Sequence, residues 1–377
     1  MLSVPSVVIF GTDIVTFSVD LLVIYAIYLV VSLTLNLEAG YSGIPNFGKA
    51  MFVAGGAAVA GSVSGRLSAF IAGISYSGDY SNSAPIIINK LNAALSLNPI
   101  LSVEILLLGV ALAAGIGAAL GYLASYPAIR LREDYLGMLL LASAQFFQIF
   151  LRSYPPVIGG VQGIEVPDFF GWANTGPGAR DIIILGVVTL FAVSVYIYCE
   201  RIARSPLGRT LRAIRDNEVA SRALGKDDVA IRKRVIVVAS AISGMAGALL
   251  TFYVESVGPD TWSRQDWTFP FWVIIILGGA ANNSGVAIGA FTYAFILKTT
   301  DKAKFLLQGI LPSTTFNYLQ YLTFASLLIL VLALRPEGIL PEKPSLTLKR
   351  QTVATIIETK AKGPDEESQE SSVKENG

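Results

Sequence analysis

The chain has 377 residues, 53% hydrophobic and 15% charged, with a formal net charge of +1. Soluble proteins carry about 25% charged residues, so an ordinary soluble fold is excluded, and near-neutrality leaves nucleic acid no electrostatic foothold. The chain has no histidine, which removes His metal ligands, His general bases and Ser-His-Asp triads, and its one cysteine, Cys199, has no internal disulfide partner.

Several apolar runs reach the roughly 20 residues that cross a bilayer as a helix. The chain therefore reads as an all-α, polytopic transmembrane helical bundle. The first run, 14–37, has no basic segment before it and is expected to be a retained span rather than a cleaved signal. Asn36, Gly40, Gly43, Asn46, Phe47, Gly48 and Lys49 follow in a Gly-, Pro- and Asn-rich stretch that leads into a small-residue helix, 50–65. Residues 66–97 are polar and poor in cations, and read as an external loop. Spans are expected at 99–126 and 135–151, joined by a short turn holding Arg130, Arg132, Glu133 and Asp134. A Pro- and Gly-rich external loop, 152–180, precedes a span at 181–198 and a long basic loop. A span at 235–254 is followed by a wet aromatic loop, 258–267. The apolar stretch 269–298 is interrupted at 277–285, and a last span is expected at 318–334. These boundaries divide the chain into a transmembrane domain, 1–340, and a charged tail, 341–377, expected to be disordered.

Lysine and arginine in short loops set orientation. The loop 201–234 carries ten of them and is expected on the cytosolic side, with the 127–134 turn and the tail. A cytosolic tail needs an even number of crossings after that loop. Either 269–298 dips in and returns as two half-helices broken at Gly278 and Gly279, or a further crossing lies near 303–312, or the tail is simply external.

The basic loop carries its own start and stop signals. Ser205-Pro206 opens a helix, Leu207, Leu211 and Ile214 form an apolar stripe, and Asn217 caps a second short helix. Gly225 ends it, and Asp227 and Asp228 cap the next span. Arg209, Arg212 and Arg215 lie on the polar side. Such a unit suits docking of a cytosolic partner, the plainer alternative being a loop resting on lipid headgroups.

Irregular backbone at membrane depth survives only inside protein or beside a watery cavity. The 36–50 stretch is then either a cavity lining or an interfacial turn. The second break, Gly278, Gly279, Asn282, Asn283, Ser284 and Gly285, offers Ser284 as a helix cap. Gly61–Gly65, Gly117–Gly121 and Gly285–Gly289 are GxxxG pairs suited to close helix contact. Asp20 and Glu104 are read as lying near water at span ends. No GxxxxGK[ST] phosphate loop occurs, and no bound cofactor is expected.

Asn36-Leu-x-x-Gly-Tyr-x-Gly-x-x-Asn-Phe-Gly-Lys-Ala-x-Phe52 resembles the first signature of the branched-chain amino acid ABC importer permeases, and Arg130-Leu-Arg-x-x-Tyr135 and Gly159-Gly-Val-Gln-Gly-Ile164 resemble later ones. The run Gly208 to Gly225 is similar to the family's EAA-type coupling loop, and Gly244 to Leu249, Leu277-Gly-Gly279 and Arg335-Pro-x-Gly-Ile-Leu340 also fit. The ordered set covers about 30–340 and is most similar to the LivM-like type. Lys49 stands where such proteins often have histidine, and Asn282-Asn283-Ser284 replaces a small-aromatic stretch.

The resemblance implies the ABC importer permease fold and a permease half that pairs with a second permease or with itself. It implies two cytosolic ATPases, which use ATP-Mg, and an extracytoplasmic solute-binding protein. It maps the ATPase contact onto 204–230, with Glu218, Ala220, Ala223 and Gly225 at the matching positions, and places the chain in the cell membrane. The expected solute is a branched-chain or related amino acid. Another small polar solute, such as urea, a short amide or a sugar, and an ATPase-independent secondary transporter are the alternatives.

Overall fold

The computed structural model describes residues 8–9, 12–76, 78–131, 133–174, 178–307 and 313–342; among them, the side chains of 8–9, 12–13, 128–130, 133, 303–307 and 313–320 are not described. The chain forms two units, Met1–Glu342 and Lys343–Gly377. The second unit, with most of the tail expected to be disordered, lies outside the described residues, as do Arg132 and the Arg130 side chain.

Two short paired strands, β1 (Val8–Ile9) and β2 (Thr12–Asp13), lead into helix α1, Ile14–Leu35. A π-helical turn, Asn36–Tyr41, and an irregular stretch separate α1 from α2, Lys49–Ile71. Then come α3 (Tyr80–Leu97), α4 (Pro99–Arg130), α5 (Glu133–Ser153), the single turn α6 (Pro155–Ile158) and strand β3 (Ile164–Glu165). Helix α7, Ala179–Arg204, is followed by the short pair α8 (Pro206–Asp216) and α9 (Glu218–Ala223), then α10, Asp228–Val254. Then follow β4 (Ser256–Val257), α11 (Arg264–Trp267), α12 (Phe269–Gly278), α13 (Asn283–Leu307) and α14 (Ser313–Leu334), and the described course ends in an irregular segment, 335–342. Among the described residues, six helices are long and apolar enough to cross a membrane: α1 with its π turn, α2, α4, α5, α7 and α10.

The centre is α2, α4 and α10, and small residues set their spacing. A Cβ on Gly56 of α2 would fall 2.1 Å from the Gly244 carbonyl oxygen of α10, and one on Gly117 of α4 would fall 2.5 Å from the Ser240 carbonyl. Only a hydrogen at these positions lets the backbones meet. Of the expected GxxxG pairs, Gly117–Gly121 packs on Ser240 and Gly285–Gly289 packs on α12.

The basic end of the molecule is closed by α8 and α9. The opposite end is closed by α3 and by β3 pairing antiparallel with β4, beside a cluster in which Arg180 bonds Asp168, Asp181 and Glu255. Here the expected external loop at 66–97 is corrected. Helix α2 continues to Ile71, and 80–97 is a helix with Tyr80, Ala84, Ile87, Leu91 and Leu95 buried. The helical spacing of those residues was present, but the Ser- and Asn-rich outer face concealed it.

Two further expectations change. The stretch 258–267 is not a wet loop: Trp262 and Trp267 are buried and their rings lie 4.9 Å apart. Val257 packs at Gly61 of α2, whereas Thr268 Oγ1 accepts a hydrogen bond from Ala50 N. The stretch therefore descends along α2 by about 16 Å, the rise of eleven helical residues. Its two short helical turns, Pro259–Trp262 and α11, and the irregular joints between them are tolerated there because protein surrounds them. The aromatic column continues through Phe271, Tyr28 and Tyr293.

The second break is also not a meeting of two half-helices. Helix α12 has 10 residues and α13 has 25. They run antiparallel, Gly278 against Gly285 and Ile274 against Gly289, so the break is a tight turn between a short helix and a full-length one.

Candidate functional site

The basic unit is built as its caps dictate. Ser205 Oγ accepts from Gly208 N, Asn217 Oδ1 accepts from Ala220 N, and Asp227 Oδ1 accepts from Ala230 N. Gly225 takes φ +76°, the left-handed value a helix stop requires. The apolar stripe is corrected by one position. Gly208, Leu211 and Ile214 face inward and Leu207 is exposed, because α8 presses its Gly208 backbone onto the end of α7. Asp228 does not cap: it is buried and paired with Arg222 at 2.8 Å. Hydrogen bonding and charge from Asp228, then charge from Glu218, raise the Arg222 pKa further above its ordinary value. Glu218 lies 2.5 Å from Arg222 and 3.2 Å from Arg232, which ties α9 to α10.

Helix α8 reaches the first irregular stretch directly. Arg215 Nη1 donates to the Gly40 carbonyl at 2.6 Å, and the Arg215 side chain lies against Gly43, whose φ is +71°. The Arg212 guanidinium stacks over the Tyr41 ring at 5.1 Å. Arg209 is exposed.

The two breaks in turn hold each other. Asn36 Oδ1 accepts from Ala281 N at 2.9 Å, and Asn36 Nδ2 donates to Asn283 Oδ1 at 3.0 Å. A Cβ on Gly40 would fall 2.6 Å from Ala281 N, so the turn can seat only on a glycine. Asn283 also donates to Glu200 at the end of α7. The cap of α13 is Asn282, not Ser284: Asn282 Oδ1 accepts from Ser284 N and Gly285 N. Ser284 Oγ instead meets the Tyr196 hydroxyl at 3.0 Å.

Beneath this junction lies a charge pair with no exposed atoms. Lys49 Nζ sits 2.6 Å from Glu38 Oε2, and both side chains are 0% exposed. Asn46 Nδ2 donates to the same carboxylate, while Lys49 Nζ donates to Thr34 Oγ1 at 3.2 Å. Thr34 and Ser243 bond each other at 3.0 Å and join α1 to α10. Buried charges survive only when paired and hydrogen-bonded, so this network fixes the path of 36–49.

A family profile described as the branched-chain amino acid transport system permease component matches residues 17–332. The chain belongs to this permease family. A probable branched-chain amino acid transport permease protein LivM of Methanocaldococcus jannaschii is 35% identical over 325 residues, 86% of this chain and 93% of the relative. The LivM high-affinity branched-chain amino acid permease proteins of Salmonella typhimurium and Escherichia coli are each 28% identical, over 63% and 62% of this chain and 58% and 57% of their own lengths. No solved structure matches.

In this permease Glu218, Ala220, Ala223 and Gly225, the positions expected for a coupling loop, lie on α9 and its stop, with Val219 and Leu224 exposed between them. A cavity of about 410 Å³ opens between α8 and α9, lined by Pro206, Ala213, Asn217 and Leu224 among others. A larger one, about 610 Å³, lies between Pro45, Phe47 and Phe269 and the start of α5 at Tyr135 and Met138. The Phe47 ring stacks on Trp272 at 4.6 Å, so this cavity meets both the first irregular stretch and α12. Asp20 is partly exposed near the end of α10, accepting from the Tyr253 hydroxyl, with Lys298 Nζ at 4.0 Å; Glu104 is exposed. Ala281 and Glu342, which complete the junction, carried no local signal, and Glu200, which pairs locally with Arg204, gave no sign of its bond to Asn283. The permease family and its apolar helices make this a multi-pass membrane protein.

Proposed function

We propose that the chain is the membrane-spanning subunit of an ATP-driven importer for branched-chain or related amino acids. In this reading a second permease, or a second copy, completes the path through the cell membrane, and an extracytoplasmic binding protein delivers the solute. Two cytosolic ATPases hold the α8–α9 unit, and the 341–377 tail is cytosolic. The relatives' names supply the solute class. The observation that carries the mechanism is the continuous contact from α8 to both breaks: Arg215 to Gly40, then Asn36 to Ala281.

A load on α9 would travel by two routes. One is the Glu218–Arg232 pair into α10; the other is Arg215 into the π turn. The second ends where α1 stops, so a small rotation of α8 changes the path of the irregular stretch that carries Phe47 to the larger cavity. Transport needs two states that differ in access to that space. The reading excludes an energy source within the chain itself.

The test is reconstitution. Proteoliposomes holding the full complex should accumulate leucine only with ATP and the binding protein, and Glu218→Lys should lower uptake while the protein still inserts. Sustained uphill accumulation by this chain alone would overturn the proposal.

A further inference from the structure

The segment after α14 is bonded into the same junction. Helix α12 ends with carbonyls that have no partner inside the helix. Two of them are met from the far end of the chain: Ile339 N donates to Leu277 O at 2.9 Å, and Leu340 N donates to Gly278 O at 3.0 Å. The approach is close enough that a Cβ on Gly279 would fall 2.1 Å from the Leu340 carbonyl oxygen, and one on Gly338 would fall 2.6 Å from Gly279 Cα. Asn282, which caps α13 with its oxygen, holds the Pro341 carbonyl with its Nδ2 at 2.9 Å. The next residue, Glu342, then meets α8: one carboxylate oxygen lies 2.9 Å from Arg212 Nε and the other 3.0 Å from Arg215 Nη2.

We infer that residues 335–342 form a strap between the α12–α13 turn and the basic helix α8, and that Glu342 is a positioning residue for energy coupling. This rests on the reading of the chain as an importer permease. The strap has a firm end and a soft end. At the turn it is held by backbone bonds and an asparagine in a glycine-lined seat. At α8 it is held by one carboxylate shared between two arginines. That end is partly open to solvent, so ions screen it. A movement of α8 therefore either carries the turn with it through Glu342 or, with the carboxylate removed, leaves the turn behind. The same two arginines touch Tyr41 and Gly40, so the strap places both breaks under one pair of side chains.

The test uses the full complex in proteoliposomes and reads leucine taken up per ATP hydrolysed, across a range of salt. Glu342→Gln keeps the shape and removes the charge; it should lower the ratio at least about fivefold and abolish its salt dependence. Glu342→Asp should recover part of the ratio. Glu337→Gln, an equal loss of charge on an exposed residue of the same strap, should leave it unchanged. A thermal-unfolding cycle of Arg212→Gln, Glu342→Gln and the double variant should show non-additivity. A wild-type ratio and salt response in Glu342→Gln would overturn the inference and leave the importer reading standing. Absence of ATP-dependent uptake in the wild-type complex would overturn the importer reading, and the inference with it.

Discussion

Arg215 of the basic helix donates a 2.6 Å hydrogen bond to the carbonyl of Gly40, 175 positions earlier in the chain. The bond joins a solvent-facing helix to a π turn that ends a membrane span. A backbone acceptor cannot be lost by mutation, so the arginine alone decides whether the contact exists. Arg215→Ala is expected to lower uptake per ATP about fivefold or more, and Arg215→Lys should not restore it, because an ammonium cannot serve Gly40 and Glu342 in the same fork geometry. Paired uptake and phosphate-release assays check this.

The Lys49–Glu38 pair predicts a sharp asymmetry between single and double variants. Lys49→Met strands a carboxylate with no exposed surface, a loss of about 3–5 kcal/mol. Replacing both residues, Glu38→Leu with Lys49→Met, removes the charge problem and should recover most of the unfolding temperature in detergent. A single variant as stable as the wild type would contradict the geometry.

Helix packing predicts a contrast among glycines. Gly56→Val drives side-chain atoms into the Gly244 backbone and should prevent the α2–α10 contact, giving little folded protein on size-exclusion. Gly186→Ala, where a Cβ meets nothing within 4 Å, should match the wild type or be stabilised by several tenths of a kcal/mol.

Orientation is testable with two cysteines. Val219 is 77% exposed on α9, and Phe70 is 83% exposed at the far end of α2. In intact cells Phe70→Cys should react with an impermeant maleimide and Val219→Cys should react only after permeabilisation. The native Cys199 is buried and provides a quiet background. Reaction of Val219→Cys from outside would invert the topology.

The helices on either side of the basic loop, and the caps at Ser205, Asn217 and Asp227, were legible because they depend on local spacing and local donors. The turn at Gly278–Gly285 was legible as an interruption, but its form was not. Whether α13 is a half-helix depends on what α12 packs against, and Gly278 meeting Gly285 is a tertiary fact. Residues 258–267 misled for the opposite reason. Their Asp, Ser, Arg and Gln suggest water, while burial of Trp262 and Trp267 decides the path. Glu342 was invisible because a glutamate after an expected final span has no pattern; only Arg212 and Arg215 give it meaning.

Three of the four tryptophans, Trp262, Trp267 and Trp272, fall within the irregular descent along α2 and the first turn of α12. Two are in ring contact with each other, and the third stacks on Phe47 at the larger cavity. The permease thus carries intrinsic fluorophores along a chain of short helices that borders the larger cavity. Tryptophan emission of the unlabelled protein, excited selectively, will report rearrangement there, with Trp172 the one tryptophan from elsewhere.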